Sequence, residues 1–523
     1  MKIFLLVSLL LSLSGAPRPA VQPLSYDDGL ERSTPEAEGV PSRAIAELYR
    51  ALDAGGYEVH GLMILRHDKV ISEHWWRPYA AQYPHAMYSA TKSFTGAAVG
   101  FAVQEGLLRV DDKVISFFPD LLPERISPEL SHLTVEHLLT MSAGHADTRY
   151  AGSGDAQVRS FLAAEFAHEP GTVFAYDITC SHMLSNIITR VTGLTLYEYL
   201  KPRLLDPLGI RDVVWEMDLD GRNMGNGGMH SRTSDLAKFG IFLKNKGRWE
   251  GRQLLDPAWV ETMTVPHIYQ RPGVPAEEND KDDGGQGYGY QVWMGRHHSY
   301  RAIGGQNQLI MVIPDYDLVV ASNGSIGDEA GFNQIIYKLL DSISDKRLRP
   351  ERDFDLAAEV ASYELKRPFP APSVPGEKSR TLRYRLHQNE LGLTAAAFRF
   401  DAAGNLYLTL ESASSISNIP FGLDDWLMGS TDRTLLFGGT VYANTMGTTP
   451  VTTAGYCSWT GRDELGAYYL SLFNNGCQER FRFCFSEDRE SLTLVVVAPA
   501  ARQRPGAPAT AARDVVLTAT RQH

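Results

Sequence analysis

The sequence predicts an α/β chain of the α+β kind: an antiparallel sheet flanked by helices, then a separate all-β domain, a small barrel or sandwich. Three observations predict it. Strand-like stretches stand at both ends of residues 25–345 with helical ones between, so one antiparallel sheet forms from the two ends around a helical insertion. Residues 346–380 read as a linker, marked by Pro368-Phe369-Pro370-Ala371-Pro372 and Pro375-Gly376. From 381 to 523 apolar residues recur at every second position. A chain of 523 residues has room for two or three such units.

Met1-Lys2 and the short apolar run Ile3 to Leu13 read as a secretory signal within residues 1–20, too short to span a bilayer. The expected destination is therefore exported, periplasmic or extracellular. A polar helix follows over Ser42 to Leu52. Gly61 to Leu65 and Lys69 to Ser72 flank His67-Asp68 as a hairpin. An apolar, small-residue helix begins at Ser89 and stops at Glu105-Gly106. Further helices are expected over Leu133 to Leu139 capped by Thr134, Met183 to Val191 ending at Thr192-Gly193, and Asp235 to Leu243 capped by Ser234. Strands return at Tyr288 to Trp293, Gln308 to Ile313 and Leu318 to Ser322, before a helix from Gly331 to Ile343. The linker has one helix around Leu356 to Leu365. In the last domain Leu382/Tyr384/Leu386, Leu406/Leu408/Leu410 and Phe481/Phe483/Phe485 alternate with polar residues. Asn474-Asn475-Gly476 and Gly404-Asn405 read as hairpin turns.

With 43% hydrophobic and 21% charged residues the chain is globular, and a net charge of -12 argues against nucleic acid as a partner. The histidines are scattered and neither His-Glu-x-x-His nor a paired Cys-x-x-Cys occurs, so no metal and no cofactor are expected. Cys180 stands alone, while Cys457, Cys477 and Cys484 cluster. One bridge within the cluster and four free thiols are both compatible with export.

The chemistry centres on Tyr88-Ser89-Ala90-Thr91-Lys92, a Ser-x-x-Lys pair found once in the chain. Residues three apart share a helix face, so the Lys92 amine can reach the Ser89 hydroxyl. A serine needs an adjacent base, and lysine serves only where burial or a neighbouring cation lowers its pKa. The competing reading is an N-cap serine beside a solvated lysine. Pro170-Gly171 leads to Tyr176 on a loop ahead of a helix, where a phenol can exchange protons with Ser89 or simply pack. Ala302-Ile303-Gly304-Gly305-Gln306-Asn307-Gln308 opens an apolar strand. Its glycines let a carbonyl approach the backbone, with the Gly305 and Ser89 N–H groups as oxyanion donors, or else form a plain turn.

In this order the pieces resemble the serine β-lactamase-like hydrolases, which include class C β-lactamases, D-amino-acid peptidases, some carboxylesterases and 6-aminohexanoate-dimer hydrolases. The resemblance covers roughly residues 35 to 345. It also rests on His60-Gly61-Leu62 through Glu73, Leu133 to Leu139, Val191-Thr192-Gly193 and Pro207-Leu208-Gly209-Ile210. Gly227-Gly228-Met229 before Asp235-Leu236-Ala237, Tyr288-Gly289-Tyr290 and Asp317 to Val320 extend it. The last domain is similar to accessory β domains of some members, through Asn389 to Leu393 and Gly422-Leu423-Asp424. The resemblance implies Ser89 as acylated nucleophile, Lys92 as its activator, Tyr176 as proton relay, and Ser89 and Gly305 amides as the oxyanion hole.

Two departures bear on substrate. Where β-lactamases have Tyr-Ser-Asn, this chain has Tyr176-Asp177-Ile178, without the amide that contacts an acylamino group. Where Lys or His usually precedes the glycine by two, Ala302 stands, leaving no cation for a substrate carboxylate. A lost charge-assisted contact costs about 1.5–3 kcal/mol, so a neutral ester or small amide is expected over β-lactams and D-alanyl peptides. Asp177 would either favour an amine-bearing substrate or cap its helix. Ala302, Gly304 and Gln306 complete the substrate-facing candidates. The alternatives are a penicillin-binding or D-amino-peptide hydrolase, and a catalytically silent binding protein on the same fold. An α/β-hydrolase elbow is discounted, since Thr140-Met141-Ser142-Ala143-Gly144 lacks its first glycine.

Overall fold

A computed structural model describes residues 26–148, 150–275, 278, 280–351, 353–369, 377–414, 416–431, 451–473, 478–497 and 514–523. The signal, the Asn474-Asn475-Gly476 turn and Cys477 lie outside the described residues. Among the described residues no helix is long and apolar enough to cross a membrane.

The six-stranded sheet runs in the order Lys69–Trp75, Val59–Arg66, Leu318–Gly324, Gln308–Ile313, Tyr300–Gly304, Trp293–Met294, antiparallel throughout. The two ends of the domain meet where Ile64 faces Val320. His67 and Asp68 turn the first hairpin with φ of 51° and 65°, a conformation Asp tolerates better than most residues. Gln308–Ile313 is apolar at nearly every position because both of its faces are covered. Leu309, Met311 and Ile313 meet helices Ser42–Ala54 and Glu329–Leu340. Ile310 and Val312 meet the helical layer of Thr91–Gln104, Ile178–Thr192 and Thr233–Lys244.

Three sequence expectations need correction. Ser234 is not a cap: the helix starts at Thr233, and the Asp235 carboxylate accepts from Ser231 Oγ and the Arg232 N–H instead. Tyr288 to Trp293 is not one strand, because Gln291 takes φ 61° and turns its side chain inward to Ser181 and the Leu138 and Leu139 carbonyls. The helix expected from Met183 begins five residues earlier, at Ile178, since the Asp177 side chain caps it.

The C-terminal strands form a barrel. Nine of them close into a ring, Ile416–Leu423 pairing parallel with Val451–Trp459, while Leu427–Thr431 adds to the outside. Closure leaves few unpaired edges. The alternating residues Tyr384, Leu408, Phe481 and Phe483 fill the inside with Phe398 and Trp459. Cys180 and Cys457 are buried and Cys484 half-buried, all three as free thiols.

The barrel contacts the strand that leads to Ser89. The Phe473 carbonyl accepts from the Ala86 N–H (3.0 Å) and lies 3.1 Å from His230 Nδ1, and the two rings stack at 3.9 Å. Tyr79 packs with Tyr456, Tyr468 and Leu470 of the barrel beside this contact.

Candidate active site

Ser89 sits in a single tight turn, Tyr88–Ala90, that runs straight into helix Thr91–Gln104. Tyr88 adopts φ 45°, a strained conformation for a bulky residue, and it bends the chain immediately before Ser89. One helical turn on, Lys92 Nζ donates to Ser89 Oγ at 2.8 Å and to the Asn226 carbonyl at 2.6 Å. Lys92 is only 2% exposed. Burial pulls its ammonium down to about 7, against the opposing pull of Asp177 and Cys180. The solvated-lysine reading does not fit this geometry.

Tyr176 hydrogen-bonds Ser89 from the other side, and its ring lies 5.1 Å from the Lys92 ammonium. Trp293 stacks on it at 5.4 Å and 30°. Burial pushes the phenol up to about 12; the Ser89 hydrogen bond lowers it and Glu329 raises it. Tyr176 is therefore protonated at neutral pH and able to donate.

The five other candidates divide. Gly304 is a close-approach residue: a Cβ there would lie 1.9 Å from the Met87 carbonyl oxygen, two residues before Ser89. Gly305 is exposed and lies against Tyr88, its ideal Cβ 3.7 Å from that ring. Gln306 is occupied in holding the next loop, its side-chain oxygen accepting from Ser325 Oγ at 2.9 Å. Ala302 is buried in the core shared with Ala90 and Phe94 and offers no polar group. Asp177 is 2% exposed and accepts from Tyr150 Oη and the Thr179 N–H, both at 2.7 Å. It caps the helix, which leaves little of it for a substrate.

Gly304→Ala is expected to cost about 1–3 kcal/mol of stability by overpacking against the turn that carries Ser89. Thermal unfolding of the variant beside wild type checks this.

Sequence reasoning missed three contributors. Asn226, which supplies the second acceptor for Lys92, Trp293, which backs Tyr176, and Glu329, which acts on Tyr176, carry no motif of their own. Only the Gly227-Gly228 pair beside Asn226 hinted at a functional loop. Among the described residues no group of three or more His, Cys, Asp or Glu could hold a metal.

A family model described as Beta-lactamase matches residues 45–330, more than half of the chain. The chain belongs to the beta-lactamase family. Ser89, Lys92 and Tyr176 all fall inside that match. Over 221 residues the chain is 26% identical to 6-aminohexanoate-dimer hydrolase of Paenarthrobacter ureafaciens, spanning 38% of this chain and 56% of that protein. Over 150 residues it is 28% identical to lovastatin esterase of Penicillium rubens, covering 24% and 37%. Among solved structures, the octameric penicillin-binding protein homologue from Pyrococcus abyssi aligns over 91% of this chain and 99% of its own, with 18% identity and a TM-score of 0.45. Family members are hydrolases, esterases and amidases among them.

Proposed function

We propose that this chain is a serine hydrolase that cleaves a neutral ester or small amide through an acyl-enzyme on Ser89. The observation that carries the reading is the 2.8 Å contact between Ser89 and a buried Lys92 with an ammonium near 7. Neutral Lys92 takes the Ser89 proton as Oγ attacks the substrate carbonyl. The negative charge that develops on the carbonyl oxygen is met by the Ser89 and Gly305 N–H groups. The leaving group departs with a proton from Tyr176, and the phenolate left behind recovers one directly from the neighbouring Lys92 ammonium. Water then attacks the acyl carbonyl, giving its proton back through Tyr176 and Lys92, and Ser89 is released with its hydroxyl intact.

The substrate class rests on what the site lacks. Ala302 gives no cation and Ile178 no amide, so a carboxylate-bearing β-lactam loses two polar contacts. Each is worth about an order of magnitude or more. A p-nitrophenyl short-chain ester is therefore expected to show kcat/KM at least about 100-fold above that of nitrocefin. Parallel steady-state assays test this. A nitrocefin value equal to or above the ester value would refute the substrate assignment.

A further inference from the structure

Three contacts from the barrel land on residues 77–86, the segment that joins strand Lys69–Trp75 to the Ser89 turn. Asp425 accepts from the exposed Arg77 at 3.0 Å. Tyr79 packs into the cluster of Tyr456, Tyr468 and Leu470. Phe473, two residues past the barrel strand Glu464–Ser471, accepts from the Ala86 N–H at 3.0 Å, three residues before Ser89. The short strand His85–Ala86 pairs with Met229–Ser231 on one side, and the Phe473 carbonyl closes its other edge. The inside of the barrel is filled by side chains such as Phe398, Trp459 and Phe481, so what it presents to the Ser89 domain is its rim.

The same carbonyl lies 3.1 Å from His230 Nδ1, and the Phe473 ring stacks on the imidazole at 3.9 Å and 7°. A carbonyl only accepts, so Nδ1 carries the proton it donates. Nε2 of the ring is 2.8 Å from the buried Glu216 Oε1, which fixes the imidazole from its far side. His230 stands four residues after Asn226, whose carbonyl accepts from Lys92 Nζ. Next to the Phe473 contact, the Met87 N–H donates to the Met229 carbonyl at 2.9 Å, and the Met87 carbonyl faces Gly304. The approach to Ser89 is thus held by the barrel, by Met229–Ser231 and by the Gly304 strand. A bulky residue stays at the φ of 45° that Tyr88 adopts only where its surroundings hold it there.

We propose that Phe473 is a positioning residue for the reaction: presented by the barrel rim, its carbonyl and ring hold Ala86 and His230 in place and so fix Ser89 against Lys92. The barrel is then part of the catalytic apparatus and not an appendage for binding. The inference rests on the hydrolase reading above. Phe473 touches neither substrate nor the reacting atoms. It acts through two short stretches of chain, Ala86 to Ser89 on one side and His230 back to Asn226 on the other.

The test compares full-length wild type, Phe473→Ala, Phe473→Tyr and Arg77→Ala, each well below its own thermal midpoint so that only folded protein is read. The readouts are kcat and KM for a p-nitrophenyl short-chain ester and the rate of labelling by a fluorophosphonate. A displacement of about 1 Å in a reacting group costs up to about 100-fold, so Phe473→Ala is expected to lower kcat and the labelling rate by about tenfold or more, with KM within about threefold. Phe473→Tyr keeps the carbonyl and the flat ring and is expected to stay within about threefold of wild type. Arg77→Ala, which removes only the exposed ion pair with Asp425, is expected to change kcat by less than about twofold. Wild-type kcat and labelling in folded Phe473→Ala overturn the proposal, and so does an equal loss in Arg77→Ala, which would mark a general loosening of the interface. Should Phe473→Ala not fold, Phe473→Leu, which keeps apolar volume without the flat stack, takes its place, and an unchanged kcat there overturns the proposal. Wild-type protein that neither turns over the ester nor is labelled sinks the hydrolase reading and this inference together, whereas normal wild-type turnover with an unaffected Phe473→Ala sinks this inference alone.

Discussion

Replacing Ser89 with alanine is expected to lower ester turnover by about four orders of magnitude or more, to the level left by binding and the oxyanion donors alone. The residue is half-exposed in a surface turn, and its Oγ contacts are the Lys92 and Tyr176 groups. No core contact is lost, so the thermal midpoint should stay within a few degrees of wild type. Turnover and unfolding, measured side by side, separate a lost nucleophile from a lost fold. Retention of even a tenth of the activity would place the nucleophile elsewhere.

Lys92→Met is the second large effect. Methionine fills much of the same buried volume but cannot accept a proton, and loss of a general base costs about 10²–10⁴-fold. In wild type the active form is neutral Lys92, so kcat/KM should fall as pH drops through about 7. Above that limb the rate should be flat until another group titrates. In Lys92→Met the residual rate should lack this limb and rise with hydroxide. Removal of a buried cation whose burial is costly also predicts no loss of stability. A wild-type profile that is flat from pH 5 to 9 would contradict the role given to Lys92.

How far these residues could be found without coordinates depended on how local their partners are. Ser89 and Lys92 are three apart on one helix, so their contact follows from helical geometry. The hairpin at His67-Asp68, the Gln104 helix end and the alternating barrel strands are local in the same sense. Asn226 lies 134 residues from Lys92 and comes close where Met229–Ser231 pairs with His85–Ala86, and Glu329 lies far beyond Tyr176 in the chain, so neither contact has a local sign. Asp177 shows a different obstacle. Its identity suggested either a substrate contact or a cap, and only the positions of Tyr150 and Thr179 show that its oxygens are taken up within the fold. Ser234 and the broken strand at Gln291 misled for a tertiary reason: a folded-back Asp235 and a buried glutamine overrode local propensity. The seat of Phe473 of the barrel against Ala86 and His230 likewise has no local sign, since its partners are hundreds of residues away.

The most direct measurement is intact-mass spectrometry of the folded protein after a fluorophosphonate probe, followed by peptide mapping. The account predicts a single adduct on Ser89 in wild type, none in Ser89→Ala, and slower labelling in Tyr176→Phe. No adduct on folded wild-type protein, or one mapped to any other residue, would contradict it.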